Sequence, residues 1–407
     1  MRAGGLLAAL GKAPQQRSES RVATPALNDC PHLVDATLFF SPTSGGVKRY
    51  LTAKHAWLAA HSRWQHTLVV PGTENRAQRG GVCTLAGYPV PGSFNYRLPL
   101  SPRRWLRLLD ALEPDLLEAG DAFHPAWAAW RIARRRSIPL AAFYHSNLPQ
   151  IIGGRLGGRL SERALGRYVS WLYGRFDVVF APSRLMCELL NNLGIQQVVH
   201  QPLGVDTEVF RPERRGEWLR QRLGLPPTAR VLVYAGRFAG EKNMPVLLDA
   251  FARLGSPYHL LLIGGDRTAR TAHVTTLPYR RDSIELAEWL ASADALVHAG
   301  TKETFGLVAL EAMACGRPVV AARAGAIPEF VDERVGMLAE PGSGARMAEA
   351  VAALYQRDIA QLGANARARV LRRFTWHRAF QGQMATYAAL LAGERVSVPG
   401  REAVETS

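Results

Sequence analysis

Two α/β halves, each a parallel sheet clad by helices on both faces, are what this chain predicts. Three observations carry that expectation. Strand-like apolar runs alternate with helix-like runs along most of the sequence, the order that builds parallel sheets. At 407 residues the chain is too long for one ordinary domain and suits two of roughly 200 each. Midway, Gly204-Val205-Asp206 and then Phe210-Arg211-Pro212 break the alternation with turn residues and a proline stop, which puts the boundary at Gly204.

In the first half, residues 36–40 read as a strand running into a glycine loop, and a helix follows over about 47–60. Residues 67–70 form a second strand ended by Pro71-Gly72. Residues 115–118, 140–144 and 178–180 are further strands, the last closing into Ala181-Pro182-Ser183 and a helix start. In the second half, 231–234 is a strand, 236–243 a loop and 245–254 a helix. A strand at 259–263 ends at Gly264-Gly265-Asp266; 284–292 is helical and 295–298 a strand. Helices near 345–354 and 376–391 follow, and 395–407 reads as a disordered tail.

Composition narrows the possibilities. A hydrophobic share of 47% with 21% charged residues fits a globular chain with ample core. No run reaches the eighteen or so apolar residues a membrane span needs. The apolar segment 4–10 stops at Lys12, too short for a secretory leader, so a cytoplasmic location is expected. Cys30, Cys83, Cys187 and Cys315 are scattered with no CxxC pair, which argues against zinc or a disulfide framework. The net charge of +16 is uneven: residues 1–205 hold 24 Lys/Arg against 12 Asp/Glu, the rest 26 against 22. No helix-turn-helix, RNA-recognition or zinc-finger pattern accompanies it, so nucleic acid is not an expected partner. Arg103-Arg104-Trp105-Leu106-Arg107, and Arg131 with Arg134-Arg135-Arg136, fit amphipathic helices resting on an anionic membrane surface such as the inner face of the cell membrane. An arginine-rich solvated surface fits them equally.

The densest chemistry lies between Lys302 and Val320. Glu303 and Glu311 bracket an apolar helical segment, with Thr304 as N-cap and Gly316 in the left-handed position that ends a helix. Glu303 then sits at a helix N-terminus, among N–H groups that suit phosphate or sugar oxygens. Glu311 lies two turns in, where burial demands a partner; an Arg or a helix dipole would serve as well as a ligand. Gly236-Arg237-Phe238-Ala239-Gly240-Glu241-Lys242-Asn243 follows a strand, where open α/β sheets bind ligands. No Asp-x-Asp occurs, and Arg237 and Lys242 are the cations this loop offers. Glu241 is expected to orient one of them. Ser44-Gly45-Gly46-Val47-Lys48-Arg49-Tyr50 is a second glycine loop, with Arg49 read as structural. Phe143-Tyr144-His145-Ser146-Asn147 follows a strand and offers His145. Asp121 and His124 are read as structural.

Together these strings resemble the signatures of retaining GT-B glycosyltransferases of family 4 (group 1): E-x7-E, G-R-x-x-x-E-K-N and the glycine loop. The Tyr144-His145-Ser146 string is similar to loops of lipid-directed mannosyl- and sulfoquinovosyltransferases. The resemblance covers nearly the whole chain. It implies two facing Rossmann-like domains, an acceptor-side one at 1–203 and a donor-binding one at 204–375, with the helix at 376–394 crossing back to the first. It implies transfer of a hexose, with retention and without metal or cofactor, from GDP-mannose or a UDP-hexose to an envelope lipid or polysaccharide precursor. Arg237 and Lys242 would hold the diphosphate and Glu311 the ribose hydroxyls. Glu303, with the main chain of Phe305, Gly306 and Leu307, would meet the sugar and distal phosphate. Gly45 and Gly46 would face donor and acceptor, while His145, Asn147 and Arg184 would stand on the acceptor side. Main-chain groups near Tyr279 and Arg280 would border the base. One departure is clear: the family's helix after Gly264-Gly265-Asp266 is reduced to a short loop here. Two other readings stay open, a non-catalytic nucleotide-sugar-binding scaffold at a membrane and a GT-B sugar-nucleotide epimerase.

Overall fold

The computed structural model describes residues 30–41, 45–91, 95–150 and 158–394. The apolar segment 4–10, Ser44 and the expected tail 395–407 lie outside them.

The first half builds its sheet from β1 (His32–Ala36), β2 (Gln65–Gly72), β3 (Val82–Ala86), β6 (Leu116–Ala119), β7 (Leu140–Phe143), β8 (Val178–Ala181) and β9 (Val198–His200), with a short antiparallel pair, β4 (Tyr88–Pro89) and β5 (Arg97–Leu98), standing apart. The order is β3-β2-β1-β6-β7-β8-β9, parallel throughout. The second half repeats the plan with β10 (Arg230–Ala235), β11 (Tyr258–Gly265), β12 (Ala269–Arg270), β13 (Val274–Pro278), β14 (Ala295–His298), β15 (Val319–Ala322) and β16 (Gly336–Ala339). Its order is β12-β13-β11-β10-β14-β15-β16, with only the β12 edge antiparallel. In each sheet the winding reverses beside the first strand, at β1/β6 and at β10/β14. Crevices at such reversals, outside the strand carboxyl ends, are where doubly wound sheets take ligands. The hairpin β12–β13 stands where the shortened loop was noted.

The first strand departs from expectation. It spans His32–Ala36, not 36–40, because its polar residues are buried and partnered rather than excluded. His32 Nε2 meets Thr67 Oγ1 at 2.7 Å. Asp35 accepts from the Lys54 ammonium at 3.0 Å and from His66 Nε2 at 2.9 Å. Lys54 also donates to Glu118 Oε1 at 3.0 Å and to the Tyr387 hydroxyl at 2.7 Å, and Gln383 Nε2 donates to Glu118 Oε2 at 3.1 Å. Burial would raise the Asp35 carboxyl, but Lys54 and His66 bring it down to about 2. Burial lifts Glu118 to about 7 against the pull of Lys54. Charges this deep persist only when so surrounded.

Tyr387 and Gln383 belong to helix Trp376–Leu391, which leaves the second half and packs on helix Gly46–His61 of the first. The Trp57 indole donates to His377 Nδ1 at 3.1 Å. The two crossings between the halves run side by side: Val205 N donates to Phe374 O at 2.8 Å, and a Cβ at Gly204 would fall 2.4 Å from Trp376 N.

Helix Pro102–Ala111 corrects one expectation. Its Trp105 and Leu109 are buried within the protein, so its apolar side faces the core rather than lipid. Among the described residues no helix is long and apolar enough to cross a membrane.

Candidate active site

Glu303 is the centre of the second-half site. It follows β14, and three elements fix it. The Lys242 ammonium, on the loop after β10, pairs with Glu303 Oε1. His298, the last residue of β14, reaches the same oxygen with Nε2 at 3.0 Å. Because His298 Nδ1 accepts from Gly300 N at 3.1 Å, its Nε2 carries the proton and donates. Gly325, at φ +64°, brings its loop so close that a Cβ would lie 2.9 Å from the Glu303 main chain, and Ala326 N donates to Glu303 O at 3.0 Å. Burial alone would raise the Glu303 carboxyl, yet Lys242 and His298 hold it well below the usual carboxylate range. It is a fixed anion. Lys242 is thus aligned by Glu303, where Glu241 was expected; Glu241 instead accepts from Thr301 N through its main-chain oxygen, at 3.3 Å.

The loop carrying Arg237 and Lys242 is set by close packing. Gly264, at φ +145°, lies so near it that a Cβ would fall 1.8 Å from Gly236 O. No other residue fits there. The Tyr234 hydroxyl donates to Arg237 O at 3.0 Å, and Asn243 Nδ2 to Ala299 O at 3.0 Å, pinning the loop's far end to the segment after β14.

The expected N-cap at Thr304 is not one. The helix spans Leu307–Ala314 and begins at Gly306, in the left-handed region at φ +98°. A Cβ there would meet Ile327 at 2.9 Å, so the chain turns where only glycine fits. Phe305 is buried against Phe330 and Phe374. Gly316 closes the helix at φ +69°, as expected. The Thr304 hydroxyl, freed from capping, donates to His145 O at 3.1 Å and joins the two halves.

Glu311 lies inside this helix, 2% exposed. Its Oε1 pairs with the Arg49 guanidinium from the first half, while Oε2 is buried without a partner. Burial raises the Glu311 carboxyl, and Arg49 opposes that. Arg49, read as structural, therefore spans the cleft. A Cβ on Gly46 would stand 3.2 Å from the Leu307 side chain, whereas Gly45 has open space around it. The two halves meet at this glycine loop.

His145 stacks on Phe143 at 4.3 Å between ring centroids and stands edge-on to Tyr50 at 4.9 Å. Its Nε2 is buried with no partner. Burial, reinforced by nearby Lys54, lowers the ring to about 3, so the imidazole is neutral at physiological pH. Asn147 is turned inward: its Oδ1 accepts from Gln150 N at 3.3 Å and from the Tyr144 hydroxyl at 3.4 Å. The Arg184 side chain is exposed, and the helix it begins is capped from across the cleft. Glu329 accepts from Arg184 N and Leu185 N, both at 2.9 Å. Asp121 accepts from Thr37, Leu38 and Phe123 and braces the loop after β1.

The segment expected to border the base makes contacts within the protein. The Tyr279 amide is already given to Gly265 O at 3.1 Å. Arg280 turns to Glu285, at 3.1 Å, and lies over the Trp289 ring. Sequence reasoning missed His298, Glu329 and the bracing role of Gly325. Only His298 carried a signal, as the final residue of an apolar strand at a sheet's binding edge. Among the described residues, no cluster of three or more His, Cys, Asp or Glu is placed to hold a metal ion.

Residues 44–209 match the model of Glycosyltransferase Family 4, and residues 229–357 that of Glycosyl transferases group 1. A GDP-mannose-dependent alpha-(1-6)-phosphatidylinositol dimannoside mannosyltransferase of Mycobacterium tuberculosis is 31% identical over 377 residues, 89% of this chain and 97% of the relative. The chain belongs to the family 4, group 1 glycosyltransferases. The sulfoquinovosyl transferase of Arabidopsis thaliana is 28% identical over 64% of this transferase and 54% of its own length. The solved structure of a sucrose-phosphate synthase from Thermosynechococcus elongatus matches with a TM-score of 0.74 at 21% identity, covering 89% of this chain and 100% of its own. An Anabaena protein in complex with UDP and glucose matches at 0.69 and 20% identity, over 88% and 100%. These place the transferase in the GT-B fold.

Proposed function

We propose that this glycosyltransferase moves mannose from GDP-mannose to a lipid-linked acceptor, with retention and without a metal. The observation that carries the reading is a pair of buried atoms without partners on opposite sides of one cleft: Glu311 Oε2 and His145 Nε2. Buried polar atoms are rarely left unpaired unless a ligand or water completes them. Glu303, paired with Lys242, adjoins Thr304, whose hydroxyl donates to His145 O.

The donor's ribose hydroxyls donate to Glu311, displacing or sharing Arg49. The diphosphate meets Lys242 and Arg237, and as the sugar–phosphate bond breaks these cations stabilise the growing negative charge. Glu303, kept ionised, accepts from the sugar's hydroxyls. Held on one oxygen by both Lys242 and His298, it is poorly placed as a covalent nucleophile. That favours retention by return on one face, with the departing phosphate taking the acceptor's proton. His145, neutral and walled by Phe143 and Tyr50, gives the sugar one hydrogen bond in a place that closure would keep dry. The named donor and acceptor of the mycobacterial relative support the choice of GDP-mannose and a phosphoinositide-type lipid.

Incubation with GDP-mannose, UDP-glucose and UDP-galactose, each with a mannosylated phosphoinositide and with EDTA, tests this. Transfer from GDP-mannose alone, unaffected by EDTA and giving the α-anomer, is expected. Transfer only from a UDP-sugar, or activity lost to EDTA and restored by a divalent ion, would refute it.

A further inference from the structure

Helix Arg159–Tyr173 keeps its core and outer faces on opposite sides. Gly166, Val169, Leu172 and Tyr173 are buried. Opposite them Leu160, Arg163, Arg167, Tyr168 and Trp171 form one exposed stripe at helical spacing, continued by Arg175 beyond the helix end. Leu160 is 78% exposed and Trp171 45%. Glu162 is the one acid in the helix, and it lies off the stripe.

Aromatic and cationic groups are interleaved on this face. Trp130, from helix His124–Arg136, stands edge-on to Trp171 at 6.0 Å. The Arg175 guanidinium covers both rings, at 5.4 Å and 4.2 Å. Stacked arginine and tryptophan place a cation and a large amphipathic ring at one depth, which suits the boundary between head groups and acyl chains. The charge fits too, since residues 1–205 carry 24 Lys/Arg against 12 Asp/Glu. A groove of about 870 Å³ beside the helix is lined by exposed Arg163 and Arg167 and by buried Asn147, two residues beyond His145. The face is thus continuous with the acceptor side of the cleft.

We propose that the stripe running from Leu160 to Arg175 is the surface on which this transferase rests on an anionic phospholipid bilayer. The proposal extends the lipid-acceptor reading above and names the face that reading needs. Helix Pro102–Ala111 offers arginines but has buried its tryptophan, so it lacks an apolar anchor.

Vesicle sedimentation of the full chain tests it. Binding is expected to phosphatidylcholine vesicles containing phosphatidylglycerol, not to phosphatidylcholine alone, and should weaken with salt. R163E/R167E should lower partitioning by about tenfold or more, and Trp171→Ala several-fold, with melting temperatures unchanged. R103E/R104E/R107E should stay within about twofold of wild type. Undiminished binding by R163E/R167E, or a loss confined to the Arg103/Arg104/Arg107 variant, overturns the proposal. If wild type binds these vesicles yet transfers sugar to no lipid, the lipid-acceptor reading fails and the docking face stands.

Discussion

Two clusters of buried charge sit in this molecule, and they differ in how completely they are partnered. In the first sheet Asp35 and Glu118 lie within adjacent strands, β1 and β6, and share the Lys54 ammonium, which also donates to Tyr387 of helix Trp376–Leu391, while Gln383 of that helix donates to Glu118. In the second, the charge lies beyond the strand ends: Lys242 after β10, and Glu303 after β14 with His298 at that strand's last position. Both sheets reverse their winding at the same place, so topology alone does not separate the two clusters. Saturation does. The core network ties every carboxylate to donors, whereas the cleft leaves Glu311 Oε2 and His145 Nε2 open. A saturated cluster holds elements together; a cleft that leaves a helix carboxylate oxygen and a ring nitrogen unpaired is prepared for something that is not protein.

The contrast can be broken from either side. The largest expected effect is on Lys242→Ala: transfer should fall about a thousandfold, with the melting temperature close to wild type. Near-normal turnover would make the cleft cluster structural too. Lys54→Met should do the reverse, removing about 3–5 kcal/mol of stability by stranding Asp35 and Glu118, while the folded fraction keeps its specific activity. Chemical denaturation beside an active-site titration would decide it. His145→Asn should lower kcat about a hundredfold and leave the donor KM nearly unchanged; a fall in affinity alone would remove it from the transfer step.

The same residue sharpens the comparison through pH. His145 titrates near 6.5 in the unfolded chain and about 3 when folded. Its contribution to stability is therefore complete above pH 6.5 and declines as the pH falls, by up to about 1.4 kcal/mol per unit. Urea midpoints should drop less steeply between pH 7 and 4.5 in His145→Asn than in wild type, and the wild-type kcat profile should show no inflection from this ring near pH 6.5. The smallest effect belongs to Glu329→Gln, which weakens the cap that the second half places on helix Arg184–Asn192. A loss of about 1 kcal/mol or less is expected by thermal melting.

Much of the site could be read beforehand because its residues are neighbours in sequence or close a strand. Arg237, Lys242, Glu303 and Glu311 fall in two short strings, and glycines where no Cβ fits mark both. What escaped was held by contacts distant along the chain. His32 and Asp35 fell outside the strand expected at 36–40, and the partners that let them be buried lie 31 to 35 residues away. Thr304 looked like an N-cap by its position, but its hydroxyl spans to His145 while Gly306 starts the helix. Trp105 beside arginines suggested a lipid face until the core claimed it, and the exposed aromatic face proved to lie on another helix.

Local order determined the alternation of strands and helices, the two glycine-marked loops and the pairing of acidic and basic motifs, since backbone preference and periodicity act over a few residues. Tertiary structure alone decided which charges would be satisfied. Arg49 finds Glu311, and Glu329 finds the helix beginning at Arg184, only because the halves are folded face to face. The Lys242 and His298 contacts that keep Glu303 an anion, and the desolvation that keeps His145 a neutral ring, exist only once the cleft has formed.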